Sequence, residues 1–434
     1  MRRDPLGFMR RSSLLVGKGY ASGTICRSSW RAYVLALIGV VLGCAYASDV
    51  LAKSRPATVI ILGVNHGSEL IDPQQNPGRY RAYFDAVKPD VFLIEREPER
   101  AALADWYPFT YEQQDIVVPY AHAHGLPIIP IDWYPPEADS LALGYPSLSI
   151  APPFMKRGGG FQDLLTFQPE DYGLGFFFAE DQSYRQKVFK WAYDVQPSGR
   201  DFGRRLYLYR TMMMALHIES AARQFPGEKI LLVIGWMHEP DLEGLLSKPQ
   251  TEEAAPLTLQ PSDSMPAPGL EESYRYLTAT DCSAIYSVNL VSGAVPRRDF
   301  RPGWLKDISA TCRNLLPRSE FDFFSDYLHE ATGAMSKRQL AIRLRTLLAS
   351  VPSGTQFSWS GSAGDGRLET VYDPFGTLDL HQRILLAILQ LDDSFRGNHL
   401  SVAHQDEALY QSLLDSLSFV KRRQLIGYLA LKAQ

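Results

Sequence analysis

The chain has 434 residues, 45% of them hydrophobic and 21% charged, with 44 Lys/Arg against 48 Asp/Glu. This length suits one large domain or two ordinary ones, and the composition excludes a disordered chain. Without the seven Lys/Arg and one Asp of residues 1–47, 37 basic and 47 acidic side chains remain, net −10. That balance argues against nucleic acid as a partner.

The first 47 residues read as a targeting segment. An Arg-rich opening (Arg2, Arg3, Arg10, Arg11, Arg27, Arg31) leads into AYVLALIGVVLG. This apolar run of about 12 residues falls short of the roughly 20 that span a bilayer. AYA at Ala45 to Ala47 fits signal-peptidase cleavage, and VLGC at Val41 to Cys44 resembles a lipobox. We expect an exported, periplasmic or envelope-anchored protein cleaved after Ala47. Lipidation at Cys44 and a retained anchor are the alternatives, and they are the only membrane association expected. The long n-region also allows translation to start at Met9.

Between 57 and 247 the pattern alternates. TVIILGV (58–64), DVFLIE (90–95), LPIIPID (126–132) and KILLVIG (229–235) are apolar throughout. Such runs suit strands buried on both faces of a parallel sheet. Helices are expected at Arg79 to Val87, at Tyr111 to His124 before Gly125, and at Arg204 to Gln224 before Pro226 and Gly227. An insertion near 140–200 carries KRGGG (156–160) and GLGFFFAED (173–181), and it reads either as a lid or cleft wall or as a surface excursion.

Residues 248–269, rich in Pro, Ser and acidic residues, read as a linker. A short β-like piece, AIYSVNLVSG, follows. The rest of 270–434 shows helical periodicity in SKRQLAIRLRTLLASV, LHQRILLAILQL and DEALYQSLLDSLSFVKRRQLIGYLAL. The fold expected is therefore α/β, a mainly parallel sheet with flanking helices, plus a C-terminal helical region. Cys282 and Cys312 either form one disulfide, stabilising by about 3 kcal/mol, or are unrelated.

Ligands of open α/β sheets bind where the strands end. Asn65 and His66 lie just past the first strand, beside Gly63, and His238 follows Gly235 at the end of the fourth, so two GxxH motifs should bring two imidazoles to one rim. Glu95 ends the second strand as a metal ligand or a general base, or else as the partner of Arg96 or Arg100. Asp132 ends the third. In RRLYLYRTMMMALHIESAARQF, Arg210 and His217 share a side of the helix, and Arg210 suits a carboxylate or a developing oxyanion. The Met cluster reads as core packing, and His122 and His124 as a solvated helix end.

Taken in order, GVNHGS, IEREPER, YRTMMMA and GWMHEPDL resemble the TraB/GumN and Tiki group, a clan related to the erythromycin esterases and the ChaN haem-binding lipoproteins. The resemblance covers 58–247 and falls on His66, on Glu95 with Arg100, on Arg210 with Met214 and Ala215, and on His238. It implies an EreA/ChaN-like core and hydrolysis of a peptide or ester substrate. In one version His66, Glu95 and His238 hold a divalent ion that activates water, while Arg210 faces the oxyanion. In the other, without metal, one His is the base and Glu95 orients it. Asn65, Arg100 and Asp132 are the candidate substrate-binding groups. Thr211 departs from the group's usual Asn or Asp, and Asp132-Trp133 from its Asp-Arg. The alternatives to a hydrolase are a ChaN-like haem- or metal-binding protein with one His as axial ligand, or an inactive scaffold.

Overall fold

The computed structural model describes residues 55–104, 106–107, 110–134, 173–193, 202–248, 257–292, 295, 299–359, 378–391 and 407–417. The targeting segment, KRGGG and the chain beyond 417 lie outside these residues. Among the described residues, no helix is long and apolar enough to cross a membrane.

Five strands form one sheet: β1 (Ala57–Val64), β2 (Val91–Ile94), β3 (Ile128–Pro130), β4 (Lys229–Gly235) and β5 (Leu257–Gln260), in the order β3-β2-β4-β1-β5. Every pairing is parallel, so the fold is mainly parallel α/β, as expected. Alternation along each strand explains the apolar runs, because both faces are covered. Ile60, Leu62, Phe92, Ile94 and Val233 point into one cluster, whereas Val59, Ile61, Leu93, Leu232 and Ile234 point into another.

The first face meets α1 (Pro77–Val87) and a helix that opens as a π-helical turn, Glu112–Val117, and continues as α2 (Val118–His124). Asn76 caps α1, accepting from the Arg79 N–H at 3.2 Å. Gly125, in the left-handed region at φ 65°, ends α2. After α3 (Gln182–Tyr193) come α4 (Phe202–Gln224) and α5 (Glu239–Leu246), which cover the second face through Met214, Ala215, Ile218 and Leu242. Met214 is thus a core residue. His122 and His124 are exposed at the end of α2, with His124 bonded to the Tyr120 carbonyl at 2.8 Å.

Two expectations need correcting. Leu257–Gln260, inside the stretch read as a linker, is β5, and it pairs with β1 from Ala57↔Leu257 to Ile60↔Gln260. Its Leu-Thr-Leu pattern is ordinary strand chemistry, which the flanking Pro and Ser residues concealed. AIYSVNLVSG is helical rather than β-like: it spans the end of α6 (Ala279–Tyr286) and the π-helical turn Ser287–Val291. A Thr278/Asp281 capping box starts α6, and β5 already takes the sheet edge beside β1.

The C-terminal helices include α7 (Pro302–Asp307), α8 (Ser309–Leu315), α9 (Arg318–Ala331), α10 (Lys337–Ser350), α11 (Leu380–Leu391) and α12 (Glu407–Ser416). Helices α7 to α11 share a core with the sheet, since Trp304, Cys312, Phe324, Leu340 and Ile384 belong to the same cluster as Phe92 and Tyr111, whereas Leu413 of α12 packs with Leu385, Leu386 and Leu389 of α11 in a separate cluster. From Arg55 onward the chain forms one compact unit. A disulfide joins Cys282 of α6 to Cys312 of α8, with Cα atoms 5.5 Å apart.

The described end of the insertion is anchored. Phe176 packs on Tyr80 and Tyr83 at 5.1 and 5.4 Å, and the Gly173 and Leu174 N–H groups donate to Asp72 at 2.6 and 2.9 Å.

Candidate active site

β1 and β4 are neighbours in register, Gly63 opposite Ile234 and Val64 opposite Gly235, so the two GxxH motifs leave the sheet side by side. The Trp236 N–H donates to the Val64 carbonyl at 2.9 Å, extending the pairing past the strand ends. β2 lies on the other side of β4, and this order delivers Glu95 between the two imidazoles. Its Oε2 is 3.7 Å from His66 Nε2 and its Oε1 is 3.8 Å from His238 Nε2.

Both motif glycines are required by close approach. A Cβ on Gly235 would fall 2.7 Å from His66 Nε2 and 3.2 Å from Glu95 Oε2. A Cβ on Gly63 would collide with the Glu239 carboxylate and the Ala179 methyl. Gly63 therefore sits inside β1 rather than making a turn. The positive φ of this segment belongs to Gly67, at 79°.

His66 is oriented by a residue the motifs did not reveal. Its Nδ1 donates to Glu112 Oε1 at 2.9 Å, and Glu112 is fully buried at the start of the π-helical turn. Turns of this kind recur at functional sites. Burial works against protonation of His66, but the Glu112 charge and hydrogen bond, followed by Glu95, outweigh it and raise the pKa. Nearby Glu69, also fully buried, has its own pKa pushed well above the carboxylate range, first by burial and then by Glu112. The His66 side chain is 23% exposed, against 7% for His238, so His66 is the imidazole that solvent reaches.

Arg210, the ninth residue of α4, binds the carboxylates. Its Nε and Nη2 donate to the two Asp132 oxygens at 2.6 and 2.5 Å, and Nη2 also donates to Glu95 Oε1 at 2.8 Å. The guanidinium lies 4.6 Å from the centre of the Tyr134 ring. Its Nη1 stands 3.4 Å from His238 Nε2, a long contact that leaves N–H capacity for another acceptor. The remaining Glu95 oxygen accepts from the Gly235 N–H at 2.7 Å. Burial raises the Glu95 pKa, while Arg210 and then His66 oppose the shift.

His66, Glu95, Arg210, His238 and Asp132 thus converge. Three assigned roles change. Asp132 is occupied by Arg210, by the Tyr107 hydroxyl at 2.6 Å and by the Trp133 N–H at 2.7 Å, so it positions the guanidinium rather than holding substrate. Arg100 is exposed on the helical turn Pro98–Ala101, Arg96 pairs with Glu97 at 2.9 Å, and Glu95 is bound by Arg210. Glu112 rather than Glu95 orients His66. Asn65 is half-buried at the β1 exit, its carbonyl accepting from the Ser68 N–H at 2.9 Å. His217 bonds the Ile131 carbonyl at 2.7 Å and has a structural role.

The arrangement does not suit a divalent ion. A cation bridging His66, Glu95 and His238 would meet the Arg210 guanidinium, which already holds Glu95 Oε1 and lies against His238 Nε2. Among the described residues, the one acidic group compact enough for a metal is Glu180, Glu239 and Glu243. Arg185 bonds all three, at 2.5, 3.1 and 2.5 Å, and supplies the positive charge there.

The sequence offered one signal for Glu112. Glu-Gln-Gln-Asp at 112–115 is a run of four polar residues flanked by apolar ones, and all four are buried. Compared with protein-family models, curated proteins and solved structures, the chain finds no match.

Proposed function

We propose that the chain is an exported hydrolase of the cell envelope that cleaves an amide or ester bond by metal-independent activation of water, on a core akin to those of the TraB/GumN, EreA and ChaN proteins. The observation that carries this reading is the Glu112–His66 pair, buried on the Glu112 side, which leaves the solvent-reached His66 Nε2 beside Glu95, whose other oxygen is held by Arg210. Glu112 fixes the proton on Nδ1, so Nε2 presents a lone pair. His66 takes a proton from water as the resulting hydroxide attacks the carbonyl carbon, and the imidazolium formed is stabilised by Glu112 and Glu95. The Nη1 edge of Arg210 faces the developing oxyanion. His66 then returns its proton to the departing amine or alkoxide. The disulfide supports an oxidising compartment, and hence export.

The test is a screen of peptide and ester substrates with purified mature protein, with and without chelator, beside His66→Ala. Turnover that survives chelation and is lost in His66→Ala supports the proposal. Turnover abolished by chelator and restored by a divalent ion overturns the metal-free chemistry. A Soret band in the purified protein would favour haem binding, and failure on every substrate would favour a scaffold.

A further inference from the structure

We infer that Thr211 is a positioning residue that fixes the tautomer of His238, an assignment that rests on the hydrolase reading for its catalytic consequence but not for its geometry. A threonine hydroxyl has one proton to give. Here it donates that proton to the Tyr207 carbonyl, at 2.7 Å, one turn back in α4. The same oxygen lies 2.8 Å from His238 Nδ1 and can only accept. His238 therefore carries its proton on Nδ1 and turns the Nε2 lone pair toward Arg210 Nη1, 3.4 Å away. The ring has little freedom to turn, since it stacks on Tyr207 with centroids 4.9 Å apart and planes 19° from parallel.

The neutrality of the hydroxyl matters as much as its direction. An Asp at 211 would accept the same Nδ1 proton but favour the imidazolium, setting a second cation against Arg210. An Asn amide could donate as well as accept, leaving the tautomer open. Thr211 permits one state alone, a neutral acceptor. Burial, then the Arg210 charge, depresses the His238 pKa in agreement with that geometry. His238 thereby closes the third side of the Arg210 cradle, the other two being Asp132 and Glu95. The departure from Asn or Asp thus does not vacate the site; it separates the roles of the imidazoles, with His66 exchanging protons and His238 holding the arginine.

The experiment is ¹⁵N NMR of the mature protein labelled at histidine, with the His238 signals identified by their loss in His238→Gln. The expected result is protonated Nδ1 and unprotonated Nε2 at neutral pH, retained in Thr211→Ser and lost in Thr211→Val. On the substrate found by the screen, Thr211→Val should lower kcat roughly tenfold or more with little change in KM, and Thr211→Ser should restore it. A His238 that is protonated on Nε2, that titrates near the ordinary histidine pKa, or that is unchanged in Thr211→Val overturns the inference. If Thr211→Val fails to fold, the wild-type and Thr211→Ser spectra still decide the tautomer. An active enzyme with the wrong tautomer refutes this inference alone, whereas the right tautomer without any turnover refutes the hydrolase reading alone.

Discussion

Replacing Glu112 by Gln would remove one negative charge while keeping the shape of the side chain that holds His66 Nδ1. The bond lost is charge-assisted, 2.9 Å long and shielded from water on the Glu112 side. Such bonds contribute about 1.5–3 kcal/mol. Because the imidazole becomes cationic in the transition state, most of that should appear in the barrier, slowing kcat by about 10- to 150-fold. The pH profile gives a second readout. Neutral His66 is the active form, so kcat/KM rises with pH through the His66 pKa, which Glu112 holds above the ordinary histidine value. In Glu112→Gln that support is gone and the acid limb should move to lower pH. The assay is kcat/KM across pH 5 to 9 for both proteins, beside an NMR titration of His66 that needs no substrate. A limb and titration that stay in place, or move upward, would refute the role given to Glu112.

Gly235→Ala should displace the His66 ring and the Glu95 carboxylate, which a Cβ would approach to 2.7 and 3.2 Å; a shift of that size lowers kcat by about 10- to 100-fold, and circular dichroism should show an unchanged fold. Arg210→Lys keeps the charge but not the forked contacts with Asp132 and Glu95, so kcat should fall about 100-fold; full activity would mean that charge alone suffices. Arg210→Ala strands two buried carboxylates and should cost about 3–5 kcal/mol in denaturant unfolding. Cys282→Ala with Cys312→Ala should destabilise by about 3 kcal/mol under non-reducing conditions, and reductant should then have no further effect on the midpoint.

The fold was legible where burial writes a continuous signal. The apolar runs behind β1, β2, β3 and β4 reflect a sheet covered on both faces, and Gly125 marked the end of α2. Of the site, the four groups at the strand ends and Arg210 could be read because parallel strands must all discharge at one edge. Glu112 was marked only by the polar run at 112–115, because its inward orientation depends on a π-helical turn that an ordinary helical period does not reveal. Nor was the pairing of Glu95 decidable: the local Arg96 and Arg100 competed on paper, but the guanidinium that binds it is 115 residues away. β5 was lost among prolines, its four residues being too short to stand out.

The two GxxH motifs interlock. The tip of His66 fills the space left open at Gly235, and the carboxylate next to His238, that of Glu239, fills the space at Gly63. Neither half can drift independently: a bulkier residue at 235 is compatible only with a retracted residue at 66, and one at 63 only with a retracted residue at 239. In a descendant that has abandoned chemistry, replacement of either glycine should therefore come together with a smaller side chain at the position that fills its space, and a designer transplanting this edge onto another sheet would have to carry both loops together.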